Sequence, residues 1–296
     1  MARATKVSAG AVNIAVHPHK GPETYISLFK SLFALDRGVK LRGNEWAKIG
    51  SLIPINDKNP NEGFHGYIYR YTQIDPDGRW LNTLSGKILA AEEAKKEVSV
   101  PDYMKPNLRL IRYAFFPESH RLAFTTQYRG NTISSALVAS LISELAKHKE
   151  ITGNRQAVNV TVEQSRETVE YILKDLKLQK LIITIKRPNP DDDGAEDEDT
   201  TAVLEDQHAE RQVIELDAIR GMGLKPSERN QKLARLAASN GSVFGNGIER
   251  KSGKRKKVDS EAFPLIEDDI LPAKTDFIPW FLSLARKVVS KATKSS

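Results

Sequence analysis

The sequence predicts an α+β protein in which a mostly antiparallel mixed sheet carries helices on one face. Three observations point there. Short alternating or apolar runs bounded by turn residues recur through the first 190 residues, interspersed with stretches whose apolar residues return at helical spacing. Leu108–Phe116, the turn Pro117-Glu118-Ser119-His120 and Arg121–Thr126 together have the pattern of a hairpin. A composition of 40% hydrophobic and 28% charged residues is that of a globular chain with a buried core, and no repeat at solenoid spacing interrupts it.

The elements follow in order. Ala11–Val16 reads as a strand. Gly21-Pro22 opens a helix carrying Ile26, Phe29, Leu32 and Phe33, with Pro22 at its first position and Gly38 as its stop. Leu52–Ile55 and Phe64–Thr72 read as strands, the second closed by the turn Asp75-Pro76-Asp77-Gly78. Residues 87–97 favour a short exposed helix. Asn131-Thr132 is expected to cap a helix with Ile133, Ala136, Leu137, Leu141 and Leu145 on one stripe. Ala157–Glu163 alternates as a strand does, and Ser165 caps a helix bearing Val169, Ile172, Leu173 and Leu176. Leu181–Ile185 is a near-continuous apolar strand, so this stretch fits a right-handed crossover between parallel strands. Beyond it, Arg211–Leu216 reads as a strand and Ser227–Ala238 as a helix capped by Ser227. Ser239–Gly247, rich in Gly, Asn and Ser, reads as a loop, and Pro279–Lys291 as a last helix.

Charge divides the chain more sharply than hydropathy does. Residues 1–190 hold 28 Lys and Arg against 18 Asp and Glu, residues 191–210 hold ten acids and no Lys or Arg, and residues 211–296 hold 17 bases against ten acids. Asp191–Asp199 alone places seven acids in nine residues, where self-repulsion and low hydrophobicity predict disorder. The expected organisation is an α+β body (1–190), an acidic disordered insert (191–209) and a C-terminal section (210–296). That last section holds a strand, a helix, a basic loop and a terminal amphipathic helix.

The absence of cysteine excludes disulfides, Cys-ligated metals and thiol nucleophiles, and fits a reducing compartment. The longest uncharged stretch of note, Gly130–Ser143, is shorter than the ~18 residues a membrane span needs. The apolar run Ala11–Val16 lacks a following cleavage site and is a poor signal peptide. These features predict a cytoplasmic protein.

Two stretches carry a family resemblance. Leu181-Ile182-Ile183-Thr184-Ile185-Lys186-Arg187-Pro188-Asn189-Pro190-Asp191-Asp192 and Leu233-Ala234-Arg235-Leu236-Ala237-Ala238-Ser239-Asn240-Gly241 resemble a bacterial family filed as domain of unknown function 4747. The resemblance implies a prokaryotic cytoplasmic protein of mobile-element or phage-defence neighbourhoods. It implies no activity and assigns no catalytic residue.

No G-x-G-x-x-G, P-loop or G-x-S-x-G motif is present, and His17 and His19 make at most half a metal site. Whether the chain is an enzyme is left open, and no cofactor is implied unless carboxylates hold Mg²⁺. Asp191 and Asp192 at a strand end, joined by Glu163, would be the ligands of such a metal-dependent nuclease.

A nucleic-acid reading has more behind it. Strand alternation puts His65, Tyr67, Tyr69 and Tyr71 on one face of Phe64–Thr72 and Ile68 on the other, a stacking platform. Arg70 within that strand, and Arg109, Arg112, Arg121 and Arg129 nearby, would supply charge. Lys251, Lys254, Arg255, Lys256 and Lys257 form a second cluster suited to phosphate. The expectation is therefore a nucleic-acid-associated bacterial protein, with the nuclease as one alternative. The other is an assembly subunit, meeting a second copy or a partner protein through the basic amphipathic helix around Phe277, Trp280 and Phe281.

Overall fold

The computed structural model describes residues 4–18, 21–75, 77–98, 100–152, 157–188 and 195–293. The chain opens with β1 (Thr5–His17), α1 (Pro22–Ala34), β2 (Val39–Arg42), β3 (Glu45–Ile49), β4 (Ile53–Pro54) and β5 (Phe64–Thr72). An excursion then holds β6 (Trp80–Leu81), β7 (Ile88–Leu89) and α2 (Ala91–Glu97). It returns to β8 (Arg109–Phe116), β9 (Arg121–Tyr128), β10 (Asn131–Thr132), α3 (Ser135–Ala146) and α4 (Lys149–Thr152). Next come β11 (Ala157–Val162), α5 (Arg166–Glu170), β12 (Leu176–Lys186), α6 (Ala195–Asp206), β13 (Arg211–Asp217) and α7 (Glu228–Asn240). The chain closes with β14 (Gly241–Glu249), β15 (Arg255–Asp259), β16 (Ile266–Leu271) and α8 (Phe277–Thr293).

Two antiparallel sheets result. The larger runs β11-β1-β9-β8-β5-β3-β2, with β16 also pairing β1; the smaller runs β13-β12-β14-β15. The expected α+β class with mainly antiparallel pairing is present. Helices, however, lie on both faces of the large sheet. One face packs Val12, Ile14, Tyr113 and Phe115 against Phe29 of α1 and Leu141 and Ile142 of α3. The Phe29 and Phe115 rings stack there with centroids 3.6 Å apart. The opposite face turns Ala9, Ala11, Ala114 and Ala123 toward Phe281, Leu284, Ala285 and Val288 of α8. The sequence-expected boundary at residue 190 does not coincide with a division between sheets: β12 precedes it, its partners β13 and β14 follow it, and β16 and α8 return to the large sheet.

Several expectations need correction. The predicted crossover is absent, because β11 pairs antiparallel with β1 in the large sheet while β12 is a central strand of the small one. The intervening helix α5 is only five residues long and passes into a π turn at Tyr171–Asp175, which turns the chain into the other sheet instead of carrying it back alongside β11. Ser134, not Asn131-Thr132, caps α3, its hydroxyl accepting from the Leu137 amide, and Asn131-Thr132 pairs with β9. The expected loop Ser239–Gly247 is largely β14, a central strand of the small sheet. Its glycines mark close approach: a Cβ on Gly241 would lie 1.9 Å from the Thr184 carbonyl oxygen, and one on Gly247 would lie 2.4 Å from that of Lys177. Within the segment read as a disordered insert, residues 195–206 are helical; residues 189–194 lie outside the described residues. No helix of the described residues is long and apolar enough to cross a membrane.

Candidate nucleic-acid interface

The face of the large sheet that α8 covers continues past the helix. The cross-strand partners define it row by row. Ala11, Ala123, Ala114 and His65 are successive partners beneath or beside α8. The next row pairs Tyr67 with Arg112, the next pairs Lys48, Tyr69 and Leu110, and the last pairs Lys40, Trp46 and Tyr71. Side chains of directly opposed residues share a face, so four aromatic rings, two lysines and one arginine stand together. Trp46, Tyr67, Tyr69 and Tyr71 are half-buried, while Lys40 and Leu110 are exposed. The helix contacts of this face lie over β1, β9 and β16 and reach Ala114 of β8.

The rings are held from below by the backbone. A Cβ on Gly50 would lie 2.3 Å from the Tyr69 ring, and one on Gly38 would lie 2.3 Å from the Tyr71 hydroxyl. Only glycine lets β3 and the segment entering β2 pass this close to the tyrosines. Gly38, expected to stop α1, is used here instead; α1 ends at Ala34.

Arg112 sits where the helix-covered part meets the open part. Its guanidinium carbon lies 3.8 Å from the Tyr67 ring centroid and 5.7 Å from that of Phe277, the first residue of α8. Its Nη2 donates to the Tyr67 hydroxyl. Burial draws the Arg112 pKa below its ordinary value, opposed by Tyr67 and Tyr128. His65 is also buried, and burial together with the Arg112 charge holds its pKa below the usual imidazole value.

The other sequence-predicted residues go elsewhere. Arg70 lies on the Ile68 side of β5, buried, where it pairs with Glu45 and donates to the Thr132 carbonyl at 2.7 Å. Pleating puts residues 67, 69 and 71 on one side and 68 and 70 on the other, so Arg70 does not join the tyrosines. Arg112, from the neighbouring strand, stands in its place. Arg109 is exposed opposite Arg70, and Arg129 lies 5.2 Å from the Tyr128 ring centroid on the β9–β10 turn. Lys251, Lys254, Arg255, Lys256 and Lys257 are all exposed, in and beside the edge strand β15 of the small sheet. The two predicted clusters thus occupy different sheets.

Glu163 is placed at the joint between the sheets. It is buried, accepts from Arg121 Nε at 2.9 Å and from the Ser239 hydroxyl at 2.7 Å, beside an Asn13 to Asn240 hydrogen bond of 2.9 Å. The carboxylate ties α7 to β9, and the asparagine pair ties α7 to β1. Asp191 and Asp192, read with Glu163 as magnesium ligands, lie outside the described residues. Among the described residues, no three His, Asp or Glu side chains are grouped to hold a metal. The apolar stripe of the terminal helix is packed against the chain's own large sheet.

Ser239, Asn240 and Gly241 belong to the second stretch that carries the family resemblance, and all three are buried at the joint or in β14. A search of curated proteins finds no match to the chain. A family model described as a domain of unknown function (DUF4747) matches residues 5–282, and the chain belongs to that family.

Proposed function

We propose that this protein binds nucleic acid, and that the open part of the large sheet holds single strands. The observation that carries the reading is the placement of Trp46, Tyr67, Tyr69 and Tyr71 on the part of the sheet face that α8 leaves uncovered among the described residues, with Lys40 and Lys48 among them and Arg112 buried at its edge. Bases stack on such rings irrespective of sequence, each stack contributing roughly 1–3 kcal/mol, while cations at the same spacing neutralise phosphates. A duplex hides its base faces and gains only the electrostatic part. The exposed cations of β15 add a second, purely electrostatic surface.

The test is fluorescence anisotropy with labelled single-stranded and duplex DNA and RNA at two salt concentrations. Three phosphate contacts predict a slope of about −2 in log affinity against log salt for single strands. Y69A is expected to weaken single-strand binding by roughly tenfold, within the range of one lost stack. K40E/K48E should flatten the salt slope. Absence of single-strand binding at low salt, or binding that neither substitution changes, overturns the proposal.

A further inference from the structure

We propose that Arg112 is the core of a phosphate-binding site at the end of α8, taking a backbone phosphate of the strand whose bases stack on the tyrosines. The proposal rests on the single-strand reading above. Its own ground is a comparison among arginines. Arg70, Arg112 and Arg121 are the arginines buried below one-tenth exposure among the described residues. Arg70 is paired with Glu45 and Arg121 with Glu163. Arg112 has no carboxylate beside it among the described residues; its electrostatic neighbours are the phenols of Tyr67 and Tyr128. Its Nε is buried without a hydrogen-bond partner, as is that of Arg70, so what sets Arg112 apart is the missing carboxylate.

A guanidinium stays protonated at any physiological pH, so this charge cannot be discharged by losing a proton. Burying an uncompensated charge costs several kcal/mol, and the ring contacts with Tyr67 and Phe277 offset only part of it. Of the groups of β5 nearest Arg112, the Tyr67 hydroxyl accepts its hydrogen bond and His65, one row away, is an imidazole held toward its neutral form; neither is a carboxylate. An anion is the missing complement. The planar fork of donors favours a group with two oxygens in one plane, and phosphate presents them. Position agrees with the chemistry: Arg112 pairs across from Tyr67 and lies one row from Tyr69, within the reach of one nucleotide along the platform.

Thermal unfolding of the full chain in sodium phosphate and in sodium chloride at equal ionic strength tests the anion site without any nucleic acid. The wild type should melt a few degrees higher in phosphate. R112M, which fills the same space without charge, should melt at or above the wild-type temperature in chloride and show no phosphate response. R112K keeps the charge and loses the fork, and should respond weakly. In the second arm, R112M should weaken binding of a single-stranded oligonucleotide by about tenfold. A methylphosphonate oligonucleotide, whose backbone is uncharged, should bind wild type and R112M alike.

A phosphate response shared by R112M, or none in the wild type, overturns the site. If Y69A-sensitive oligonucleotide binding then persists unchanged in R112M, the single-strand reading survives alone. An Arg112-dependent phosphate response without oligonucleotide binding overturns the nucleic-acid source and leaves a site for free phosphate.

Discussion

Over β1, β8 and β9 the large sheet turns Ala9, Ala11, Ala114 and Ala123 toward α8, whereas over β2, β3 and β5 the same face turns out Lys40, Trp46, Lys48, Tyr67, Tyr69 and Tyr71. The small residues make room for a helix to approach, and the helix supplies the apolar cover the strands lack. The large residues need no such cover. Long amphipathic side chains shield one another, burying stems and ring edges while keeping polar tips in water. One half of the face is therefore covered by α8, and the other half is shielded by its own long side chains. Arg112 stands at the seam, one row from Ala114 and stacked on Tyr67.

If the two halves differ in this way, substitutions should separate stability from binding. The largest effect is expected from Phe281→Ala. Phe281 is fully buried between α8 and Ala114 and Ala123, and its truncation should cost about 3–5 kcal/mol in urea unfolding. Oligonucleotide affinity per folded molecule should be nearly unchanged. Tyr69→Ala is the mirror case, with a loss of about 1 kcal/mol in stability and a larger loss in binding. Equal stability losses at the two positions would dissolve the distinction. A stability loss between these two is expected from Ala123→Leu, which forces α8 away from the sheet and should cost about 1–3 kcal/mol. Leu110→Ala, on the open half and exposed, should stay within about 0.5 kcal/mol of the wild type.

Much of this arrangement was legible beforehand, for identifiable reasons. β5 matches its expected bounds, Phe64–Thr72, because strict alternation is the direct imprint of a half-covered strand. The β8–β9 hairpin, α1 with Pro22 in its first turn, and α7 with Ser227 accepting from the Asn230 amide were readable because their signals are local. What failed depends on partners distant in sequence. The glycines of β14 look like loop residues until β12 is seen against them. Whether strands 157–162 and 176–186 share a sheet is set by β1 and β14, not by the segment between them. The tyrosine face was visible in one strand and Arg112 was among five arginines expected near it, but which of the five joins it was not visible. Arg70 is adjacent in sequence and points the other way, while the register of β8 on β5 selects Arg112 from the others by setting it opposite Tyr67. Glu163 reads as a metal ligand because it ends a strand expected beside the one that leads into Asp191, an adjacency that the separate sheets remove, while Arg121 and Ser239 reach it only through the fold.

The smallest effects sharpen the comparison through pH. In the covered half, Glu267 of β16 accepts from Lys291 and from Lys287, the latter at 3.2 Å, tying α8 to the sheet. Burial alone would raise its pKa, but the two lysines outweigh burial and hold it below the ordinary carboxylate value. A carboxylate with a depressed folded pKa contributes stability that is complete above its unfolded value and is lost as pH falls through the folded one. At the seam, His65 has the same direction of shift with a different consequence. Burial first, and then Arg112, lower its pKa, so the unfolded chain takes up the proton before the folded one does. Its contribution is therefore complete above the ordinary imidazole value and declines as pH falls below it. Acid titration of stability should accordingly lose the His65 contribution in mildly acidic solution and the Glu267 contribution only nearer the carboxylate range. H65Q should flatten the first segment alone, and E267Q the second alone. Urea midpoints measured across both ranges decide it, and a single acid transition moved equally by both substitutions would mean that the two halves of the face do not respond separately.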